Sequence, residues 1–212
     1  MAASLEVELK LRAEDEEPLR QLATLERLGH YRLGPASEAR EVDRYLDTPD
    51  GRLSAAQWAC RLRSRDGRVL ISLKGPAEHD AGDAIHRRPE LEGPADDELA
   101  PLAWPPSAAR DQLLRLAGDQ PLLERLALEQ QRTERAVTDD GPLGTLSLDR
   151  VRVMHAGLER GRFLAVELEL LSVTPDERVA DDLLGELRAI DGLLPEPRSK
   201  LERALDLLPG VA

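Results

Sequence analysis

The amino-acid sequence predicts a mainly antiparallel α+β barrel of about eight strands, with a few helices packed outside it. Several segments alternate between apolar and charged residues with a period of two, which is typical of half-buried strands. Hairpin-like turns join most of these segments, and only a few stretches carry the capping residues and apolar stripe of a helix. An open sheet with helices on one face is the alternative that the same pattern allows.

The first third of the chain begins with a strand over residues 5–11, where apolar and charged residues alternate strictly. A helix is predicted from about residue 15 to residue 28, with Pro18 in its first turn and Gly29 at its end. Three strands should follow, the last two joined by a hairpin at Asp66-Gly67. These strands span residues 42–46, 58–64 and 69–74.

The remainder of the chain adds strands on both sides of a connector at 93–106 that is rich in proline, alanine and acidic residues. The predicted strands span residues 86–91, 128–137, 144–153 and 162–171. A helix should run from the capping residue Ser107 to Leu116, with Gly118 as its stop. A second helix over 175–190 is predicted from Thr174-Pro175-Asp176-Glu177, which combines an N-cap, a first-turn proline and a capping-box acid. A final helix is predicted over 199–208.

Composition excludes several classes of function. The net charge of −12 argues against a nucleic acid duplex as partner, because duplex binders need a surplus of positive charge. No apolar run approaches the ~20 residues of a membrane span, and the N-terminus lacks the order of a signal peptide. The single cysteine, Cys60, fits a reducing compartment. We therefore expect a cytoplasmic protein that binds neither duplexes nor membranes.

Common motifs for phosphate and zinc are also missing from the sequence. It contains no P-loop pattern and no Cys/His spacing of a zinc site. The four histidines lie at no helical metal-binding spacing, so each is interpreted as a surface residue.

Lysine is rare in this arginine-rich chain and occurs only at Lys10, Lys74 and Lys200. A compact ammonium can crowd against a phosphate oxygen where a planar guanidinium does not fit, so these three lysines are candidate anion ligands.

Charged side chains on several predicted strands repeat at i, i+2, so each row projects to one face of its sheet. The rows are Glu6, Glu8 and Lys10; Arg61 and Arg63; Ser72 and Lys74; Arg88, Glu90 and Glu92; and Glu167 and Glu169. A single row is typical of the wet face of a sheet. Here, however, acidic and basic rows lie on different strands, and a sheet closed with these faces inward would hold carboxylates beside cations. Such a lumen suits Mg²⁺ or Mn²⁺ together with phosphate oxygens.

The ordered set of these motifs resembles the CYTH domain, a family named for class IV adenylate cyclases and thiamine triphosphatases. The matching segments are Glu6-Val7-Glu8-Leu9-Lys10, Tyr45-Leu46-Asp47-Thr48, Cys60-Arg61-Leu62-Arg63, Leu73-Lys74-Gly75-Pro76, Arg88-Pro89-Glu90-Leu91-Glu92, Leu148-Asp149, Glu167-Leu168-Glu169 and Ser199-Lys200. The resemblance implies an eight-stranded antiparallel closed barrel, the triphosphate tunnel, occupied by a divalent metal. It also implies one such domain over residues 1–208 with no following CHAD domain.

The resemblance assigns roles to individual residues. It implies that five acids bind the metal: Glu6, Glu8, Asp149, Glu167 and Glu169. It implies that Glu90 and Glu92 hold a second metal or the catalytic water, with Lys74 beside them as a catalytic and phosphate-binding cation. The remaining phosphate ligands that it implies are Lys10, Arg61, Arg63, Arg88 and Lys200.

The family's basic pair on the strand after the connector is less clear in this sequence. Arg132 and Arg135 are both candidates to bind the triphosphate, but they differ in parity and cannot both face the lumen of a regular strand. Of the two, Arg135 is slightly favoured.

The function predicted from these residues is metal-dependent hydrolysis of inorganic triphosphate. Thiamine triphosphatase or nucleoside triphosphatase activity comes second, and class IV adenylate cyclase activity third, because the sequence offers no obvious aromatic platform for a base. A module that binds polyphosphate or nucleotide without turnover is the alternative from another class. The sequence does not determine the oligomeric state.

Overall fold

The computed structural model describes residues 4–76, 78–79, 84–171 and 177–209. Within these residues it contains twelve strands and five helices. The strands are β1 (Ser4–Ala13), β2 (Arg27–Leu28), β3 (Tyr31–Leu33), β4 (Ser37–Asp47), β5 (Ala59–Arg65), β6 (Arg68–Lys74), β7 (Glu78–His79), β8 (Ile85–Pro94), β9 (Leu123–Thr138), β10 (Pro142–His155), β11 (Leu158–Leu170) and β12 (Leu193–Pro195). The helices are α1 (Glu17–Thr24), α2 (Arg52–Ala55), α3 (Ala108–Ala117), α4 (Glu177–Arg188) and α5 (Lys200–Leu205).

Eight of the strands pair into a closed ring. The antiparallel order is β10, β11, β1, β8, β6, β5, β4 and β9, and β9 then pairs with β10 to complete the circle. The predicted barrel is therefore confirmed, and the open-sheet alternative is wrong.

Alternation along the strands separates an apolar outer face from an inner face that is charged except at one end, where Tyr45, Leu128 and Val151 lie. On β1, Leu9 and Leu11 pack outside the ring against Leu22 of α1 and Leu183 of α4, and all four are at most 1% exposed. Each such leucine contributes about 1.5–3 kcal/mol through burial. Because the helices cover the outer face, the charged part of the inner face does not have to supply the core.

Two further apolar clusters complete the packing. One lies around α2 and α3 and contains the buried ring of Trp104. The other brings Ala204 and Leu208 against Tyr45 and Leu128, so α5 and the residues after it pack on the apolar end of the ring. This placement of α5 carries its first residue, Lys200, towards the charged part of the lumen.

Most of the predicted helices are confirmed. The Ser107 side chain caps α3 by accepting a hydrogen bond from the Arg110 backbone N–H at 3.1 Å, and the helix stops before Gly118. Ser199 and Glu202 form a reciprocal capping box at the start of α5. The predicted cap of the helix over 175–190, at Thr174-Pro175-Asp176, lies outside the described residues. None of the described helices combines the length and apolar composition needed to cross a membrane.

The helix predicted over residues 15–28 is wrong only at its C-terminal end. Helix α1 ends at Thr24, the next residue has an extended backbone, and Arg27–Leu28 form β2 instead. Gly29, with a φ of +59°, turns the chain from β2 into β3. The apolar stripe used for the prediction continues across this change of structure, because Leu28 is buried in the same cluster as Leu22.

Candidate active site

The inner face of the barrel surrounds a cavity of about 600 Å³ that is lined almost entirely by charged side chains. The structure brings ten of the predicted site residues to its walls: Glu6, Glu8, Arg61, Arg63, Lys74, Glu90, Glu92, Arg132, Glu167 and Glu169. Lys10, Arg88 and Lys200 line a narrower space of about 40 Å³ next to it. The alternating rows therefore do face one another across a lumen.

The acids of β1 lie among cations from three strands. Glu6 accepts hydrogen bonds from Lys74 and, at 2.7 Å, from Arg88 Nε. Glu8 lies 3.2 Å from Lys10 Nζ and 3.5 Å from Arg88 Nη2. Burial alone would raise the pKa of both carboxyls, but the charges on Lys74 and Arg88 lower the pKa of Glu6 to about 2, and mainly Lys10 does the same for Glu8. Both acids therefore stay ionised at neutral pH.

Glu169 is directly opposite Glu8 in the ladder between β1 and β11. It makes no ion pair with any residue that the structure describes. Partial burial and the negative charges of Glu6 and Glu8 raise its pKa to about 7. Positive charge is therefore in deficit at this point of the lumen.

Strand β8 contributes a second acidic pair. Glu90 accepts a 2.6 Å hydrogen bond from the Ser72 hydroxyl and lies 3.4 Å from Lys74 Nζ. Burial and the charge of Glu90 raise the pKa of Glu92, which has no ion pair in the described part of the chain. Lys74 thus lies between an acid of β1 and an acid of β8, and Glu92 is a stronger base than an ordinary glutamate.

Asp149 forms the centre of a cluster on the opposite wall. It is fully buried and accepts two hydrogen bonds from Arg132, at 2.7 and 2.9 Å, and one from Lys200 Nζ at 2.6 Å. Lys200 also contacts Glu167 at 2.5 Å. Both oxygens of Asp149 are therefore occupied by cations that the sequence assigned to phosphate binding.

Sequence reasoning missed a third group of charges, at Glu41, Asp43, Arg65 and Glu134. Asp43, which is fully buried, accepts two hydrogen bonds from Arg63 at 2.8 and 2.9 Å and one from Gln130 at 2.8 Å. Arg65 bridges Glu41 at 2.9 Å and Glu134 at 2.6 Å. The signal was present, because Glu41 and Asp43 repeat the i, i+2 spacing, but the predicted strand began only at residue 42.

The prediction that Arg135, and not Arg132, faces the lumen is wrong. Arg132 faces the lumen, whereas Arg135 lies on the outer face of β9 and donates hydrogen bonds to four backbone carbonyls. The acceptors are the carbonyls of Leu22, Leu25, Leu33 and Gly34. Arg135 therefore satisfies the carbonyls at the end of α1 and is a structural residue.

His86 is also not the surface residue expected. It is 4% exposed, lies opposite Glu8 between β1 and β8, and its Nε2 is 3.2 Å from the Glu196 carbonyl. Burial and the charge of Lys10 lower its pKa to about 4, so it is neutral at neutral pH.

The carboxylates of Glu6, Glu8 and Glu169 fit a divalent cation, since Mg²⁺ and Mn²⁺ take oxygen ligands. Glu8 Oε2 is buried and lacks a hydrogen-bond partner among the described residues, and Glu169 lacks a counter-charge. Across those residues no three acidic, histidine or cysteine side chains already form a metal-binding group. Lys74 and Arg88 would therefore have to release Glu6 when a metal binds.

Comparison with known proteins gives a family and a fold. The model of the CYTH domain family matches residues 4–205. Among solved structures, HpAC1 from Hippeastrum, a candidate adenylyl cyclase described as having a dominant triphosphatase activity, is 21% identical with a TM-score of 0.68. That alignment covers 96% of this chain and 98% of HpAC1.

Two other solved structures are similar over nearly their full length. A candidate adenylate cyclase from Bacillus halodurans is 21% identical with a TM-score of 0.66, covering 96% of this chain and 98% of that one. The protein PH1819 from Pyrococcus horikoshii OT3 is 22% identical with a TM-score of 0.57, covering 95% and 98%. No curated protein matches the chain. At these identities the likeness concerns the fold.

Proposed function

Because the chain belongs to the CYTH domain family, we propose that it is a divalent-metal-dependent hydrolase of inorganic triphosphate that acts in the cytoplasm. The observation that carries the proposal is the cavity of about 600 Å³, whose walls combine cations with two carboxylates, Glu92 and Glu169, that lack ion pairs among the described residues. A linear polyanion that chelates a metal ion supplies negative charge to the cations of these walls and positive charge to their carboxylates.

Each group of residues has a part in this proposal. Arg61, Arg63, Lys74 and Arg132 would neutralise and orient the phosphate oxygens, which lowers the barrier of phosphoryl transfer by positioning and electrostatics. The chemistry supplied by a bound Mg²⁺ or Mn²⁺ would be polarisation of a phosphoryl oxygen, and Glu6, Glu8 and Glu169 would hold it.

Water activation is assigned to the acids of β8. Glu92 has a raised pKa and is exposed to the cavity, so its carboxylate is suited to accept a proton from an attacking water. Glu90, held by Ser72 and close to Lys74, would orient that water. Asp149 instead positions Arg132 and Lys200, because both of its oxygens already accept hydrogen bonds from them.

The decisive experiment measures phosphate release from tripolyphosphate, ATP and thiamine triphosphate with Mg²⁺, Mn²⁺ or EDTA. We expect tripolyphosphate to be cleaved fastest and EDTA to abolish cleavage. Preferred cleavage of ATP or thiamine triphosphate would replace the proposed substrate. Phosphate release from none of the three would overturn the hydrolase proposal and leave a binding module.

Substitution of the metal-binding acids separates catalysis from anion binding. Glu6→Gln and Glu8→Gln should each lower kcat by about 10²-fold or more, since stabilisation of charge in the transition state is lost. Tripolyphosphate binding should persist, because the cations are intact. The matched control is Glu129→Gln, which removes an exposed acid paired with Arg152 outside the lumen and should leave turnover unchanged. Full activity in both lumen variants would contradict the assignment.

A further inference from the structure

Two acids of β4 form a row behind the arginines of β5. Glu41 and Asp43 repeat at i, i+2 on the inner face of β4, and their side chains are 0% exposed. In the ladder with β5 they lie directly opposite Arg65 and Arg63. Both arginines line the cavity and keep part of their surface exposed to it, whereas Asp43 does not line it. Asp43 therefore lies out of reach of a ligand in the cavity and can act on it only through other side chains.

Asp43 is shared by two arginines that line the cavity. Its carboxylate accepts hydrogen bonds from Arg63 Nε and Nη2, at 2.8 and 2.9 Å, and from Arg61 Nη1 at 3.3 Å. Positions i and i+2 of a strand lie about 6.5–7 Å apart, so one carboxylate between them reaches both guanidinium groups. The bidentate contact fixes the plane of Arg63. Its third nitrogen, Nη1, makes no hydrogen bond with the described residues and is left for a ligand.

Gln130 holds Asp43 from the neighbouring strand β9. Its Nε2 donates a 2.8 Å hydrogen bond to Asp43 Oδ2, and the residue is 3% exposed. Its Oε1 is buried without a hydrogen-bond partner in the described part of the chain. Because an unsatisfied buried amide oxygen is costly, the bond to Asp43 is the favourable polar contact that this glutamine makes.

Asp43 has two opposing effects on an anion in the cavity. Burial would raise its pKa, but the charges on Arg61 and Arg63 lower the pKa well below its usual value, so the carboxylate is ionised. Its negative charge repels an anion nearby. Its hydrogen bonds, however, hold two long side chains in one arrangement before the anion arrives, which lowers the entropic cost of binding. The two effects predict opposite results when the carboxylate is neutralised.

We infer that Asp43 is a positioning residue for the triphosphate, which it serves by holding Arg61 and Arg63 side by side at the cavity wall, and that Gln130 supports it in this role. The inference deepens the proposed function and rests on it for the identity of the ligand. It does not require turnover, since the arginines are available to an anion without metal.

The test measures tripolyphosphate binding to the protein in EDTA by calorimetry. Asp43→Asn should weaken binding about tenfold, because the two guanidinium groups lose their common anchor. Charge alone predicts tighter binding, so an affinity equal to or above that of the wild type overturns the inference. The matched control is Glu159→Gln. This exposed acid is shared in the same way by Arg152 and Arg162, at 2.8 and 2.6 Å, and its loss should leave the affinity unchanged.

A second variant keeps every charge in place. Gln130→Leu removes only the support of Asp43 and should weaken tripolyphosphate binding about threefold. Gln131→Leu is its control, because Gln131 is exposed on the opposite face of the same strand. Circular dichroism and urea unfolding check that each variant is folded. Where Asp43→Asn does not fold, this pair decides, and equal affinities in the two glutamine variants overturn the inference.

A double-mutant cycle separates positioning from a general loss of structure. In an Arg63→Met background, Asp43→Asn should change the affinity much less than in the wild type, because the guanidinium group that Asp43 holds most closely is absent. Equal effects in the two backgrounds overturn the inference.

The inference and the proposed function fail in different ways. The expected binding pattern without hydrolysis of any triphosphate overturns the hydrolase alone. Hydrolysis of tripolyphosphate together with undiminished binding in Asp43→Asn overturns the positioning role alone.

Discussion

At the scale of single residues, the lumen is lined mainly by charged side chains that are buried together with an oppositely charged partner. Asp43 and Asp149 are fully buried, and each accepts hydrogen bonds from at least two cationic or amide side chains. An unpaired buried charge costs several kcal/mol, so these contacts are a condition for charged residues to face inward at all. Glu92 and Glu169 differ, because neither has an ion pair among the described residues. They mark the places where the barrel is short of positive charge.

Glu169 should make the metal-free protein less stable as pH rises. Its pKa is about 7 in the folded state, above the ordinary value of 4.5. The folded state therefore holds this proton more tightly, and the stability it contributes is full below about pH 4.5 and is lost as pH rises through about 7. We expect Glu169→Gln to gain stability relative to the wild type between these values. Urea unfolding at several pH values in EDTA measures the difference.

Other titrating groups are common to both proteins, including Glu92, whose raised pKa acts in the same direction. His86 acts in the opposite direction, because a lowered pKa removes stability as pH falls from 6.5 through about 4. It is present in both proteins and cancels in the comparison. A constant difference between wild type and Glu169→Gln from pH 4 to pH 8 would contradict the raised pKa.

The inward-facing residues were predictable wherever a charged row lay inside a predicted strand. The i, i+2 spacing correctly grouped Glu6 with Glu8 and Arg61 with Arg63, because side chains alternate on every strand. It could not decide between Arg132 and Arg135, since parity shows that they face opposite sides but not which side is inside. That choice depends on Asp149 and on the carbonyls of α1, which are remote in sequence.

At the scale of elements, α5 connects helix capping with the site. Its N-cap, Ser199, is followed directly by Lys200, whose ammonium reaches Asp149 and Glu167. The start of the helix therefore determines where this lysine enters the lumen.

Ser199→Ala should affect both stability and substrate affinity. Loss of the capping box should cost about 1 kcal/mol, and fraying of the first turn should raise KM for tripolyphosphate by moving Lys200. Ser107→Ala is the matched control, since it removes the cap of α3 on the outside of the barrel. It should cost a similar free energy of unfolding without changing KM. Equal KM values in the two variants would show that α5 does not position Lys200.

Substitution of Arg135 should lower stability and spare tripolyphosphate affinity, whereas substitution of Arg132 should lower that affinity. Arg135→Met leaves four backbone carbonyls without their donor, and we expect it to lose about 3 kcal/mol of stability while keeping tripolyphosphate affinity. Arg132→Met should weaken tripolyphosphate binding, and it should also release Asp149 from its main partner. Chemical denaturation and calorimetric titration of both variants check this. A binding defect in Arg135→Met alone would reverse the assignment.

Long elements were predictable from the sequence and short ones were not. Strands such as β9 and β11 carry several repeats of the period-two pattern, and the cap of α3 is a local signal. The strands β2, β3 and β12 contain only two or three residues each, too few to show a period. β3 and β12 are defined by pairing with the distant strands β9 and β1, and β2 by pairing with β3. The predicted helix over 15–28 is too long for the same reason.

At the scale of the whole molecule, closure depends on ladders between strands that are far apart in sequence. β9 and β10 pair as a local hairpin, whereas β1 pairs with β11 and β4 pairs with β9. Local patterns specify amphipathic strands but not whether the first and last strands of a sheet meet. The ordered family motifs therefore carried the prediction of closure, and the wide separation of the paired elements explains why periodicity alone could not.

Divalent cations should stabilise the whole barrel if the acids of β1 and β11 hold them. At about a hundred times its dissociation constant, a ligand that binds only the folded state adds about 2.7 kcal/mol. For a domain of this size that corresponds to a rise in Tm of roughly 5–10 °C. Thermal unfolding with Mg²⁺ or Mn²⁺, against sodium chloride at equal ionic strength, measures the shift. Glu8→Gln should abolish it, and an undiminished shift in that variant would place the metal elsewhere.

The distribution of lysine has a consequence for chemical labelling. All three lysines of the chain lie inside the barrel, with side chains 4%, 14% and 7% exposed. The outer surface therefore offers amine-directed reagents no ε-amino group. Bulky reagents should leave the three lysines unmodified, whereas a reagent small enough to enter the lumen would label Lys10, Lys74 and Lys200.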